Sequence, residues 1–304
     1  MKRLLITGTS GFIGQNLMKI IEKYYLKEYE IFLLNDKLND NYKTILYDNT
    51  YHFNVSEIES IGYIDTVIIL GGGVPKTNEQ KNDIPFNFGS FDSIFFLLSN
   101  LRVAPKRIVY CSSVDVYGNS SYDKIFNPNE QEIISENTIV NPNDKYSLFK
   151  YLGELFIKDY CKIKNIEFVI LRLGPVFGNG DLRLNFLIPT WIKNAREGKN
   201  LTLTGHPEMK RNLIYVEDVC HFILKSIYCK KNVIINVVST NNPSLLEIAQ
   251  SIIEASKQKI ELDINKSGLY YGKNRIFDAS KRIYYLGEER FSFKDGIKEI
   301  IKTN

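Results

Sequence analysis

Short apolar runs alternate with longer amphipathic ones through the first half of the chain. Arg3 to Thr7 is a compact apolar run that ends at Gly8, and from Phe12 to Ile21 the residues Phe12, Ile13, Leu17, Ile20 and Ile21 recur at helical spacing. The pattern predicts strand, turn and helix. A second strand over Glu30–Leu34 precedes the polar loop NDKLNDN. A weak third strand falls near Tyr51–Phe53 ahead of a short helix from Ser56, and a clearer fourth covers Asp65–Leu70. The amphipathic segment Phe86–Leu101, the strand Arg107–Cys111, a helix from about Asp144 to Lys164 and the strand Phe168–Leu173 continue the series. Apolar strands separated by amphipathic helices predict an α/β fold, a doubly wound parallel sheet covered on both faces with right-handed crossovers.

Beyond Arg172 the alternation loosens. Gly174, Pro175, Gly178 and Gly180 break the chain before a helix at about Phe186–Glu197. Ile214–Lys225 and Val233–Val238 read as a helix and a strand that return to the main sheet, and from Ser244 a helix, a strand and a terminal helix form a smaller lobe. The expected division is residues 1–172, joined by 212–238, and a mixed α/β lobe over 173–304, with a cleft between the two.

Composition narrows the class. The 304 residues carry 39 Lys plus Arg against 35 Asp plus Glu, a formal charge of +4, too mild a balance for a nucleic-acid partner. At 44% hydrophobic and 24% charged the chain has the apolar content to bury a full core. No apolar run approaches the roughly 20 residues needed to span a bilayer, so no membrane partner is expected. MKRLLITG runs straight into a strand without a signal-peptide core, which places the expected location in the cytoplasm. Cys111, Cys161, Cys220 and Cys229 are scattered without CxxC or His partners at ligand spacing, so neither a metal site nor a disulfide framework is expected.

The first candidate chemistry is the glycine turn. Gly8-Thr9-Ser10-Gly11-Phe12-Ile13-Gly14 gives GxxGxxG between the first strand and the first helix. There glycines allow a tight turn and let backbone N–H groups approach a pyrophosphate at the positive end of the helix. Its position in an apparent βαβ unit predicts a Rossmann dinucleotide site, and makes the larger unit the dinucleotide-binding domain. The second strand ends at Asn35-Asp36-Lys37, where the Asp36 carboxylate would accept hydrogen bonds from the adenosine ribose. Its charge favours NAD, whereas the adjacent Lys37 would attract the 2′-phosphate of NADP, so NAD or NADP stays open. Asn54, after the third strand, is either a hydrogen-bonding partner of the adenine edge or a turn residue.

The second is Tyr146 with Lys150, a YxxxK pair on one helical face. A nearby ammonium favours the phenolate, allowing a tyrosine to act as acid or base toward a hydroxyl or carbonyl. The strand before this helix ends in Cys111-Ser112-Ser113-Val114-Asp115-Val116-Tyr117-Gly118, and ligands of open α/β sheets bind outside the carboxyl ends of strands. Ser113 is therefore placed to hydrogen-bond the reacting oxygen.

With GTSGFIG, SSVDVYG, YSLFK, LRLGPVFG, RNLIYVEDV and DASKRIYYLG, nearly the whole chain resembles the extended short-chain dehydrogenase/reductases that act on nucleotide sugars, among them 4-epimerases, 4,6-dehydratases and 4-keto reductases. The resemblance implies that Gly8, Ser10, Gly11, Phe12, Ile13 and Gly14 hold the cofactor pyrophosphate and that Ser113, Tyr146 and Lys150 form the catalytic triad. It also implies that Asn87, Leu70, Gly71, Gly72 and Pro175 join Asp36 and Asn54 around the cofactor. Gly73, Ser113, Asp115, Phe177 and Arg211 would meet the substrate, with Arg211 on its diphosphate or else in a surface ion pair. Tyr117 and Tyr215, like Phe177, either line the nucleotide or sugar pocket or belong to the core.

Departures from the family's pattern shape the expected reaction. The dehydratases carry Asp-Glu where this chain has Val114 and Asp115, so the acid for water loss is missing while Asp115 keeps a carboxylate. The Cys and His of dual epimerase-reductases are replaced by Asp115 and Gly180. Pro175 stands where a substrate-contacting Asn is frequent, and Leu70-Gly71-Gly72-Gly73 replaces an aliphatic-His-Leu-Ala-Ala ending. Reduction of an NDP-4-keto-6-deoxyhexose is the leading expectation. An NDP-hexose 4-epimerase with tightly kept NAD is the alternative, and a non-catalytic dinucleotide-binding sensor is the reading from another class. Phe88, Phe91, Phe95 and Leu98 form an apolar helical stripe. It resembles the family helix that builds a homodimer bundle, or else it packs only on its own sheet.

Overall fold

The structure, a computed structural model, describes residues 1–48, 52–71, 75, 77–118, 125–183, 186–265 and 270–302. In chain order the first elements are β1 (Lys2–Thr7), α1 (Phe12–Tyr24), β2 (Tyr29–Asn35), β3 (Lys43–Leu46), α2 (Val55–Ile61), β4 (Thr66–Ile69), α3 (Asn78–Asn82), α4 (Ile84–Asn100) and β5 (Arg107–Ser113). A 3-10 turn (Val114–Tyr117) leads to β6 (Gln131–Ile134), α5 (Lys145–Lys164), β7 (Glu167–Leu173), β8 (Val176–Phe177), α6 (Leu187–Arg196), β9 (Leu201–Thr204) and β10 (Ile214–Tyr215). The remainder is α7 (Val216–Ser226), β11 (Val233–Val237), α8 (Leu245–Ala255), β12 (Leu262–Asn265), β13 (Asn274–Phe277), α9 (Ser280–Leu286) and α10 (Phe293–Lys302).

The chain divides into two units. The first comprises residues 1–118, 140–173 and 220–235. Its seven-stranded sheet has the order β11-β7-β5-β4-β1-β2-β3, and the pairings from β7 to β3 are parallel. Leu5, Leu34, Val67, Ile69, Ile108 and Tyr110 pack with apolar residues of α2, α4 and α5. The alternate positions Leu4, Ile6, Leu33, Ile68 and Val109 are equally buried. Since strand side chains alternate, both faces of the sheet are covered, and the runs read as continuously apolar for that reason. This is the doubly wound sheet expected from the alternation. The strand order reverses between β1 and β4, the switch point at which ligands of such sheets bind.

The weak third strand is displaced from its expected place. It is Lys43–Leu46, not Tyr51–Phe53; His52 and Phe53 are outside any strand, and Tyr51 lies outside the described residues. On this edge strand only Ile45 is buried, so a one-sided apolar pattern never forms.

The second unit comprises residues 119–139, 174–219 and 236–304, with its own core of Trp191, Leu201, Leu203, Ile248, Ile252 and Ile297 among others. The division differs from the expected one at 119–139, which joins this unit because β6 pairs in parallel with β13. The stretch that returns to the large sheet is 220–235, shorter than the expected 212–238, because Ile214–Tyr215 forms β10 and pairs with β8.

No helix among the described residues is long and apolar enough to cross a membrane. All four cysteines are buried and unbridged. Among the described residues no cluster of His, Cys, Asp and Glu is placed to hold a metal ion.

Candidate active site

The glycine turn is built at the carboxyl end of β1. Gly8 has φ +73°, and its missing Cβ would lie 3.2 Å from the Gly71 carbonyl at the end of neighbouring β4. A Cβ on Gly14 would collide with Gly8 O and Thr9 Cα, so only glycine lets α1 start this close to β1. Gly11 is the N-cap of α1 and offers no side-chain cap, which leaves the first turn's N–H groups without that partner. Asn35 pins the loop: its Oδ1 accepts from Thr9 N at 2.8 Å and its Nδ2 donates to Thr9 Oγ1. Next to it Asp36 is exposed and accepts from the Ser10 hydroxyl. A helix start with no side-chain cap, a close-approach glycine and an exposed carboxylate after β2 fit a dinucleotide.

Other residues of the cofactor group differ in what they do here. Phe12 and Ile13 open α1 and are half-buried. Asn54 is the N-cap of α2, its Oδ1 taken by Ser56 N at 3.1 Å, so only its amide donor is left for an adenine edge. Asn87, 2% exposed, sends Nδ2 to the carbonyls of Gln80 at 2.8 Å and Asp83 at 2.6 Å, tying α4 to α3. Gly72 and Gly73 lie outside the described residues.

Tyr146 and Lys150 sit on α5. Asp144 caps the helix by accepting from Ser147 N at 2.7 Å, and Ser147 Oγ closes the capping box, worth about 1 kcal/mol. That cap sets where α5 begins and so where Tyr146 and Lys150 point. Lys150 Nζ is 5.8 Å from the centre of the Tyr146 ring and 5.5 Å from that of Tyr110, and donates to Cys111 O at 3.1 Å. Burial lowers the Lys150 pKa to about 8, against the opposing pull of Cys111 and Glu154. Gly71 has φ +88°, and a Cβ there would strike Lys150 Nζ. The glycine at the end of β4 therefore makes room for the ammonium. A small pocket is lined by Asn87, Ser90, Phe91, Tyr110, Tyr146 and Lys150.

Ser113, two residues past the Cys111 carbonyl that holds Lys150, accepts from Asp115 N at 3.1 Å, which leaves its hydroxyl proton to donate. Asp115 is half-exposed and pairs with Lys81 at 3.6 Å; Lys81 also reaches Asp144 at 3.1 Å. Lys81 escaped the sequence reading because nothing in the spacing joins 81 to 115 and 144.

Of the two readings left open for the aromatic residues, the structure shows core packing. Tyr117 is buried, and its hydroxyl accepts from Arg172 at 2.9 Å. Phe177 is 2% exposed, its ring packed on Tyr215 and Phe293 in the second unit's core. In that unit Pro175 is exposed and Arg211 is exposed, with Nη1 donating to Lys210 O at 3.0 Å.

Comparison with known proteins shows the family of the chain. The chain is 27% identical over 278 residues to a dTDP-D-glucose 4,6-dehydratase of Dictyostelium discoideum, covering 84% of this chain but only 62% of that protein. It is 25% identical to GDP-6-deoxy-D-talose 4-dehydrogenase of Aggregatibacter actinomycetemcomitans over 99% of this chain and 97% of that one. In fold it matches a solved UDP-glucuronic acid 4-epimerase of Bacillus cereus in complex with NAD, with TM-score 0.79, 21% identity and coverage of 99% and 98%. The model of the NAD dependent epimerase/dehydratase family matches residues 4–237, and the chain belongs to that family.

Proposed function

We propose that the protein moves a hydride between a nicotinamide cofactor and C4 of a nucleotide-linked hexose, in the direction that reduces an NDP-4-keto-6-deoxyhexose. The observation that carries this reading is the Lys150 ammonium held beside the Tyr146 ring at the end of the strand that bears Ser113. NAD, when bound, supplies the hydride acceptor or donor. Gly8, Ser10, Gly11, Phe12, Ile13 and Gly14 would hold its pyrophosphate. Asp36 would hold its adenosine ribose, with a charge that opposes a 2′-phosphate and so favours NAD over NADP.

Tyr146 gives the proton to the oxygen that becomes the C4 hydroxyl, or takes it in the reverse direction. Ser113 donates to that same oxygen and fixes its position. The Lys150 ammonium stabilises negative charge on the phenolic oxygen and holds the nicotinamide ribose. Asp115 would face the sugar, and Arg211 would meet the diphosphate. Water loss is not proposed, because Val114 stands where the dehydratases have their acid.

The direction is supported by the full-length likeness to a GDP-6-deoxy-D-talose 4-dehydrogenase. The 4-epimerase reading uses the same residues. Incubating the protein with NAD(P)H and a nucleotide 4-keto-6-deoxyhexose decides between them: stoichiometric cofactor oxidation is expected, and inversion of a UDP-hexose without net oxidation would reverse the ranking. Tyr146→Phe should lower turnover by about 100-fold or more with cofactor binding kept; retained turnover would refute the proton donor, whereas a wild type that binds the cofactor and turns over no nucleotide hexose would favour the non-catalytic sensor.

The protein is further proposed to act as a homodimer. Phe88 and Phe95 on α4 are each 47% exposed and Leu155 on α5 is 40% exposed, while Phe91, Phe149 and Phe156 stack between them. A second copy of the same face would cover this stripe.

A further inference from the structure

We infer that the buried pair Glu154–Arg172 is a positioning device that holds the turn bearing Ser113 in register with the helix bearing Tyr146 and Lys150. Glu154 lies four residues after Lys150 and eight after Tyr146, on the same face of α5. It is 0% exposed, and Arg172 on β7 is 3% exposed. Two near-parallel bonds join them, Nη2 to Oε2 at 2.7 Å and Nε to Oε1 at 2.9 Å.

Each charge holds one end of the segment that contains Ser113. The Ser112 hydroxyl donates to Glu154 Oε1 at 2.6 Å. At the other end Arg172 Nη1 donates to the Tyr117 hydroxyl at 2.9 Å, with the guanidinium 4.8 Å from the centre of that ring. Between these tethers run Ser113, Val114, Asp115 and Val116, and Ser113 caps the 3-10 turn. The helix, the turn and the strand β7 are thus joined at one ion pair.

Stability alone does not account for such a pair. Taking two charges out of water costs about what their attraction returns, and apolar residues of the same volume commonly serve as well. What apolar residues do not supply is direction. A carboxylate with both oxygens occupied fixes a serine hydroxyl to within a hydrogen-bond length, and a misplacement of about 1 Å at a reacting group costs on the order of 100-fold in rate. Neither side chain touches the reacting atoms; both act through Ser113 and α5.

The inference rests on the oxidoreductase reading, and its test keeps the two apart. Ser112→Ala and Tyr117→Phe cut one tether each and leave the ion pair in place. In the full chain, hydride transfer per bound NAD is expected to fall about tenfold or more in each variant, with KM and NAD stoichiometry unchanged. A purely structural role would instead lower stoichiometry and leave the rate per bound NAD at the wild-type value, and that result overturns the inference. Peptide-resolved amide exchange provides a readout independent of turnover: residues 113–118 should exchange faster in both variants, and unchanged protection there equally overturns it. If the wild type turns over no nucleotide hexose while the variants loosen 113–118 alone, the positioning role stands and the oxidoreductase reading falls.

Discussion

The ammonium of Lys150 fills the space that a side chain on Gly71 would need. The two come from different places in the chain: Gly71, two residues past β4, has φ +88°, and Lys150 reaches across from α5 to the Cys111 carbonyl. Gly71→Ala meets both obstacles, a left-handed backbone that costs a Cβ residue about 1 kcal/mol or more and a collision with Nζ. The ammonium must leave the Cys111 carbonyl. Turnover of the variant should fall about tenfold or more, by analogy with other small displacements of reacting groups, while its melting temperature drops by only a few degrees. Steady-state kinetics beside a thermal melt checks both, and wild-type kinetics in the variant would show that Lys150 relocates harmlessly.

The same lysine sets a pH limit. Burial brings its pKa down to about 8, so the ammonium that supports Tyr146 is lost as pH rises through that value. The rate of hydride transfer should fall on the alkaline side with a midpoint near 8. In Lys150→Arg the charge persists to far higher pH, so the slower variant should lack that limb. The stability effect has the opposite sign. With the folded pKa below the unfolded 10.5, the unfolded chain binds the proton more tightly from about 8 upward. This group's destabilisation is therefore complete below 8 and is relieved as pH climbs toward 10.5. Denaturant unfolding across pH 7 to 10 reads that term, most cleanly as the difference between the wild type and Lys150→Met.

What the chain's pattern revealed and what it hid have distinct physical causes. GxxGxxG and YxxxK are local: the residues that cooperate lie within one turn or one helix, so spacing alone places them on one face. The large sheet was legible because its strands are buried on both sides and read as unbroken apolar runs. Lys43–Leu46 was missed because an edge strand with only Ile45 buried carries no such run. Residues 119–139 fall with the second unit, where the pattern does not place them, because β6 finds its partner β13 about 140 residues later, a pairing no local pattern encodes. Glu154 sat in view at four residues beyond Lys150, yet its importance depends on Arg172, Ser112 and Tyr117, which only the folded sheet brings together. Phe177 stayed open between two readings because an aromatic residue after a strand end looks the same whether it meets a ligand or a core.

In the proposed reading, cofactor choice turns on Asp36. Its exposed carboxylate after β2, held by the Ser10 hydroxyl, would accept from the two ribose hydroxyls and repel a 2′-phosphate. Asp36→Ala should weaken NAD by about tenfold, the cost of losing charge-assisted hydrogen bonds worth about 1.5 kcal/mol, and should weaken NADP less or strengthen it. With Lys37 adjacent, the ratio of the two dissociation constants should move toward NADP. Titration of intrinsic fluorescence with each dinucleotide measures that ratio, and an unchanged ratio would remove Asp36 from the ribose.

The aromatic stripe on α4 and α5 gives the last test. Phe88, Phe91 and Phe95 meet Phe149 and Phe156 ring to ring, so the two helices present one continuous apolar face. Phe95 touches only Phe156 among these rings and is 47% exposed, so a change there disturbs little that the isolated chain buries. In a pair of copies related by a two-fold axis the same ring would be covered, and a carboxylate in its place would be forced out of water beside its symmetry mate. Phe95→Glu should therefore convert a dimer to a monomer in sedimentation equilibrium while the far-UV dichroism spectrum stays that of the wild type. If wild type and variant sediment alike as monomers, the stripe serves only the packing of α4 on α5; if both remain dimers, the two-fold contact lies on another face.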